Sequence, residues 1–139
     1  FEVLNETYVK KLQIEARVIG DICLNHVLPA AVRYQNILIE NVRGVKEIFG
    51  EEYKNLCSSE FATLKNISCL TNAISHDVEA LVEARKKANR IEDIAERAKV
   101  YSHEVKDLMD KVRYSADHLE MVVDDEMWPL PKYRELLFF

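Results

Sequence analysis

Chain breakers are scarce: three glycines and three prolines among 139 residues. That excludes a fold rich in hairpins or tight turns, which draw on those residues. Gly20, Gly44 and Gly50 stand too far apart to make a phosphate-cradling loop. Cysteine is limited to Cys23, Cys57 and Cys69. The number is odd, no two form a C-x-x-C, and each lies in apolar or mixed helical surroundings, where a free thiol packs as a small hydrophobe. A reduced, cytoplasmic setting fits them, and in that setting the two N-x-[ST] sequons, at Asn5 and Asn66, are read as chance occurrences. An excess of positive charge is also missing: the net charge is −5, which argues against nucleic acid as a partner. No apolar run reaches the roughly 18 residues of a membrane span, and no signal-peptide pattern opens the chain. The sequence starts at Phe1, inside an apolar pattern with Val3 and Leu4, and reads as a piece of a longer protein.

What is present is helical. The chain is 48% hydrophobic and 31% charged, a balance that with so few breakers favours a helical bundle. From Glu6 to Phe49, apolar or small residues recur at Leu12, Ala16, Ile19, Cys23, Val27, Ala30, Tyr34 and Ile37, then at Val42, Val45 and Phe49. Steps of three and four mark one helix face. Such a helix would be roughly 65 Å long and needs other elements along it. Pro29 lies inside it, removing a backbone donor and crowding the Asn25 carbonyl. A kinked helix is expected, with two abutting helices as the alternative. Val18, Ile22, Leu24 and Leu28 lie off the main stripe and require cover from elsewhere, so the isolated segment is expected to self-associate.

Gly50 is expected to cap the first helix, and Ser58 or Ser59 to open a second. The second stripe is Leu64, Ile67, Thr71, Ile74, Val78, Leu81, Ala84 and Ala88. Asn89 and Glu92 resemble a capping box for a third helix, striped by Ile94, Ala98, Tyr101, Val105, Leu108, Val112, Ser115, Leu119 and Val122. Pro129 should stop that helix, and Pro131 should start a short last one. The expectation is therefore one all-α domain over residues 1–139. Its architecture would be an up-down-up antiparallel bundle of three long helices, the first kinked, with a short C-terminal helical tail. The helices would lie at about 6–49, 58–88, 90–126 and 131–137.

Sites for chemistry are weakly signalled. His26, His76, His103 and His118 have Cys23, Ala73, Val100 and Ser115 three residues before them. None of these is a carboxylate, so a ferritin-like di-iron pattern is excluded. His76 with Glu79 and His103 with Asp107 could each offer two ligands, but exposed histidines near acids are common. No local signature accompanies a cysteine nucleophile. Asp117, Glu120, Asp124, Asp125 and Glu126 cluster and could hold a divalent metal, but a solvated or salt-bridged face is the simpler reading. No catalytic, cofactor-binding or metal residue is assigned. The candidate packing and assembly residues are Val18, Ile22, Leu24, Leu28, Trp128, Leu130, Tyr133, Leu136 and Leu137. The last five belong to an apolar tail that must dock on something, the bundle itself being favoured.

Two stretches carry a family likeness. One is Tyr8-Val9-Lys10-Lys11-Leu12-Gln13-Ile14-Glu15-Ala16-Arg17, continuing through His26-Val27-Leu28-Pro29-Ala30-Ala31-Val32-Arg33-Tyr34-Gln35; the other runs from Val123 to Phe138 around Met127-Trp128-Pro129-Leu130-Pro131-Lys132-Tyr133. Together they resemble the C-terminal helical region of type III glutamine synthetases. The resemblance implies a parent enzyme that joins ammonia to glutamate using ATP and Mg or Mn, assembled as a double-ringed homo-oligomer. It implies partners in the upstream catalytic region of the same chain and in neighbouring subunits, with no nucleic acid and no membrane. The family's catalytic motifs are absent from these residues, so the segment itself would serve packing or assembly. A stand-alone helical interaction or scaffold module is the alternative.

Overall fold

The structure, a computed structural model, describes residues 2–128, with side chains from Asn5 onward. It is all-helical, with two long helical runs, one shorter run and no strand among the described residues. The first run joins α1 (Glu2–Ile22), a π-helical turn at Cys23–Val27 and α2 (Leu28–Phe49). A 3-10 turn at Gly50–Glu52 and the single-turn α3 (Tyr53–Leu56) lead into the second run, α4 (Ser58–Asn89). The third joins α5 (Ile94–Val100), a π turn at Tyr101–Val105 and α6 (Lys106–Val122).

The first π turn answers Pro29. A proline in a regular helix leaves the carbonyl four residues back without a donor and crowds it. Here the backbone widens just before the proline: the Leu28 N–H bonds the Cys23 carbonyl, five residues back. The widening also sets the register. Ile19, Cys23, Val27 and Ala31 are four apart, yet all contribute to the core. In a regular helix each step of four overshoots a turn by about 40°, and a wider turn takes up that drift. The second π turn does the same for Tyr101, Val105 and Met109, all fully buried, with the Lys106 N–H bonding the Tyr101 carbonyl. Beyond each π turn one core position falls a residue later than the regular stripe gives, while Ala30, Val112, Ser115 and Leu119 are buried as expected. Leu38, not Ile37, packs on the core, with Ile37 53% exposed; Met109, rather than Leu108, is fully buried.

Helix ends follow local chemistry. Gly50 has φ 61°, which disfavours a side chain, and its N–H bonds the Lys46 carbonyl to close α2. α4 starts at Ser58 with no side-chain cap, so neither Ser58 nor Ser59 caps it. The third run begins at Ile94, not at 90: Asp93 is the cap and its carboxylate accepts the Glu96 N–H at 3.1 Å. Asn89 is the last residue of α4, and its side chain is engaged across helices instead. The Arg97 guanidinium holds the Ile91 carbonyl with two bonds, 2.8 and 2.6 Å, and so fixes the connection. The run ends at Val122, not at 126, because Val123 turns extended (ψ 143°) and buries its side chain. The tail helix expected at 131–137 lies outside the described residues.

Two hydrophobic clusters fill the interior, each drawing on all three runs. Val9, Leu12 and Ala16 meet Leu81, Ala84, Ala88, Ala98, Tyr101, Val105 and Met109. Cys23, Val27 and Ala31 meet Ile67, Ile74, Val78, Val112, Leu119, Val123 and Trp128. Ile19 packs against both. Between positions 39 and 66, only Cys57 is buried. There α2 and α4 are joined by Asn41 Nδ2 to Glu60 Oε1 at 2.6 Å, with Tyr53 of α3 against Phe61 and under Lys46. No helix among the described residues is long and apolar enough to cross a membrane.

Candidate functional site

The off-stripe residues of the long helix divide. Ile22 and Leu28 are half-buried and pack against the second cluster. Val18 and Leu24 remain exposed, at 48% and 47%. Six residues apart on a helix, they lie on different faces: Leu24 lines a cavity with Gly20, Val78, Leu81 and Val82, whereas Val18 does not.

The chain after α6 is folded back by one aspartate. Asp124 Oδ1 accepts the Glu126 N–H at 2.8 Å, and its carbonyl accepts the Met127 and Trp128 N–H groups at 3.0 and 3.1 Å. A short acidic side chain suits such a turn. The turn delivers Trp128, 7% exposed, into the second cluster. Among the described residues, its buried indole N–H has no hydrogen-bond partner. Thus Asp124, in the sequence part of an acidic cluster, is a turn-forming residue here. Leu130, Tyr133, Leu136 and Leu137 lie outside the described residues.

Among the described residues, no three His, Cys, Asp or Glu side chains gather where they could hold a metal. His76 Nδ1 lies 3.3 Å from Asp77 Oδ1, rather than on Glu79. His118 Nδ1 sits 2.8 Å from the Tyr114 carbonyl, with the two rings 4.1 Å apart. The buried thiols are held protonated: burial pushes Cys23 up to about 11, and burial, then the Glu60 carboxylate, raises Cys57. A thiol so held is not an activated nucleophile.

Sequence reasoning missed a polar node. Asn89 Oδ1 accepts both from the Tyr101 hydroxyl and from Gln13 Nε2, so one side chain joins all three runs. The partners stand 12 and 76 residues away, and nothing in the local sequence of Asn89 marks it out from an ordinary cap. Lys87 and Glu104 add an ion pair nearby at 3.6 Å, though both side chains are exposed and such pairs contribute little. The described residues form a helical unit with open apolar surface, Val18 and Leu24 included.

Known proteins give this unit its place. Residues 1–46 match the family model for the glutamine synthetase C-terminal domain. The chain is 49% identical over 138 residues to a glutamine synthetase of Bacteroides fragilis (strain YCH46), which covers 99% of this chain and 19% of that protein. The chain belongs to the glutamine synthetase family, in its C-terminal region. Within the family it is similar to the type III form: it is 30% identical over 139 residues to the type-3 glutamine synthetase of Dictyostelium discoideum. A glutamine synthetase of Butyrivibrio fibrisolvens is 25% identical over 138 residues. The chain spans 19% of the length of each of these relatives.

Proposed function

We propose that this chain is the helical accessory region of a glutamine synthetase, supporting packing or homo-oligomeric assembly of an enzyme that ligates ammonia to glutamate. The observation that carries the reading is the 49% identity running through 99% of the chain. ATP and Mg or Mn are then bound by the rest of the parent. These residues supply no group for that chemistry in this reading, and the partners are the catalytic region of the same chain and neighbouring subunits. Three free cysteines support a cytoplasmic setting.

The arrangement is read as an up-down-up bundle with a bend at the π turn before Pro29. Cross-helix bonds support it: Gln13 to Asn89, Gln35 to Ser68 and Asn41 to Glu60 pair rising numbers on the first run with falling ones on α4. Asn89 to Tyr101 and Lys87 to Glu104 do the same for the next pair of runs.

The test uses the full-length protein. It should form glutamine in an ATP-dependent reaction and scatter light as a multi-subunit assembly. Removing this region should lower the assembled mass and the activity together. A deletion that leaves both unchanged, or a full-length protein that makes no glutamine, would overturn the proposal. ATP binding confined to this region with a Kd below about 10 µM, near −7 kcal/mol, would contradict its accessory role.

A further inference from the structure

The long helix carries a second apolar stripe that the two core clusters use only in part. Leu24, Val32 and Ile39 are 47%, 48% and 38% exposed, and Leu28 is half-buried between them. Gln35 fixes where this stripe lies. Its Nε2 donates to Ser68 Oγ at 2.7 Å and to the Leu64 carbonyl at 3.3 Å, so this side of the helix meets α4. Val32 and Ile39 stand three before and four after Gln35, and Leu28 and Leu24 continue at steps of four, on the same side. The stripe therefore borders the seam between the long helix and α4.

At the Leu24 end the seam opens into a cavity of about 240 Å³. Gly20 puts no side chain into it, and Val78 and Val82 form its apolar wall. Arg17 and Arg85 flank it and make no ion pair among the described residues. The acid on the same lining, Asp21, is engaged by Asn25 Nδ2 at 2.6 Å.

We propose that this seam receives an amphipathic helix from the part of the full-length protein outside these 139 residues. Its apolar side chains lie on Leu24, Leu28, Val32 and Ile39, and a carboxylate near its end meets Arg17 and Arg85. The proposal rests on the reading that the chain is one region of a longer enzyme. Size selects the occupant. The stripe is about 22 Å long at 1.5 Å per residue, and a helix is about 10–12 Å wide, giving a footprint of roughly 250 Å². Independent partners that form stable complexes bury about 800 Å² each. A free protein or a second copy is thus poorly served by the seam alone. A segment of the same chain is tethered to the seam, escapes the entropy cost of bringing two molecules together, and needs no more area than this. The relatives supply such chain, since these residues account for 19% of their length.

The experiment places Leu24→Cys and Val32→Cys singly in the full-length protein and measures maleimide labelling, resolved by peptide mass mapping from the native cysteines. Each site should label about a hundredfold more slowly than in urea, as covered positions do. Labelling within about tenfold of the urea rate, the behaviour of half-exposed residues, would overturn the proposal. A photo-cross-linker carried on Val32→Cys should capture a peptide of the same polypeptide from outside this region. Capture of a peptide from residues 129–139, of a second copy, or of nothing, would overturn it. Arg17→Glu with Arg85→Glu should speed labelling at Val32→Cys; an unchanged rate would remove the carboxylate from the proposal. If the seam labels freely while deletion of the whole region still dissolves the assembly, the seam is empty and the assignment to glutamine synthetase stands.

Discussion

Tyr101 donates its hydroxyl hydrogen to Asn89 Oδ1 at 2.6 Å, and that same oxygen accepts from Gln13 Nε2 at 2.8 Å. One atom at the end of α4 ties the first run to the third, and the tyrosine ring it holds is fully buried in the first cluster. Tyr101→Phe keeps the ring and loses the bond, which should cost about 0.5–1.5 kcal/mol. Asn89→Ala leaves a buried hydroxyl without its partner and should cost more, about 1–3 kcal/mol. Urea melts of the two variants and their double mutant test this. An Asn89→Ala cost below that of Tyr101→Phe would mean the hydroxyl finds another acceptor.

Trp128 is held by packing rather than by its polar atom. Its ring is 7% exposed, while its indole N–H is buried and, among the described residues, without a partner. Trp128→Ala should destabilise the chain by about 3–5 kcal/mol, the usual cost of removing a buried aromatic. Trp128→Phe should cost much less than that, because the smaller ring loses area but also removes an unsatisfied donor. A shift below about 1 kcal/mol for Trp128→Ala in urea would show that the ring contributes nothing to the bundle.

Gly44 inside the first run and Gly50 at its cap should respond in opposite directions. Gly44 is helical, and a Cβ there would meet nothing within 4 Å. Gly44→Ala should stabilise by about 0.4–1 kcal/mol through the unfolded chain. Gly50, at φ 61°, holds a conformation that alanine resists, so Gly50→Ala should destabilise by about 1 kcal/mol. Thermal melts of the pair decide it; shifts of the same sign would contradict the cap geometry.

The cysteines should label in an order set by burial. Cys69 is exposed and should react with iodoacetamide first, while buried Cys23 and Cys57 should react only on unfolding. The raised Cys23 value also gives a pH dependence. Its thiol stays protonated in the fold from the ordinary value of 9.0 up to about 11, whereas the unfolded chain loses that proton near 9. The unfolded state then binds fewer protons, so this group's contribution to stability is level below pH 9, falls between 9 and about 11, and levels again. Cys23→Ala should flatten that part of a stability–pH profile; a slope identical to the unsubstituted chain would assign it to other groups.

Much of the architecture was legible because it depends on neighbours in the chain. Few breakers and unbroken steps of three and four specify long helices, and Ile67, Ile74, Val78, Leu81, Ala84 and Ala88 are buried as their spacing requires. Gly50 ends its helix because a positive φ suits a residue without Cβ, a property of that residue alone. The corrections arise where tertiary structure outweighs local pattern. Leu38 replaces Ile37 and Met109 joins Tyr101 and Val105 because the π turns change how many residues fill a turn, which even spacing does not encode. Asn89 reads as a cap but serves Tyr101 and Gln13, partners that only folding brings within reach. Of the off-stripe residues, Ile22 and Leu28 found cover on the bundle while Val18 and Leu24 did not. Apolar character is a property of the sequence; whether a surface is covered depends on which helix lies against it.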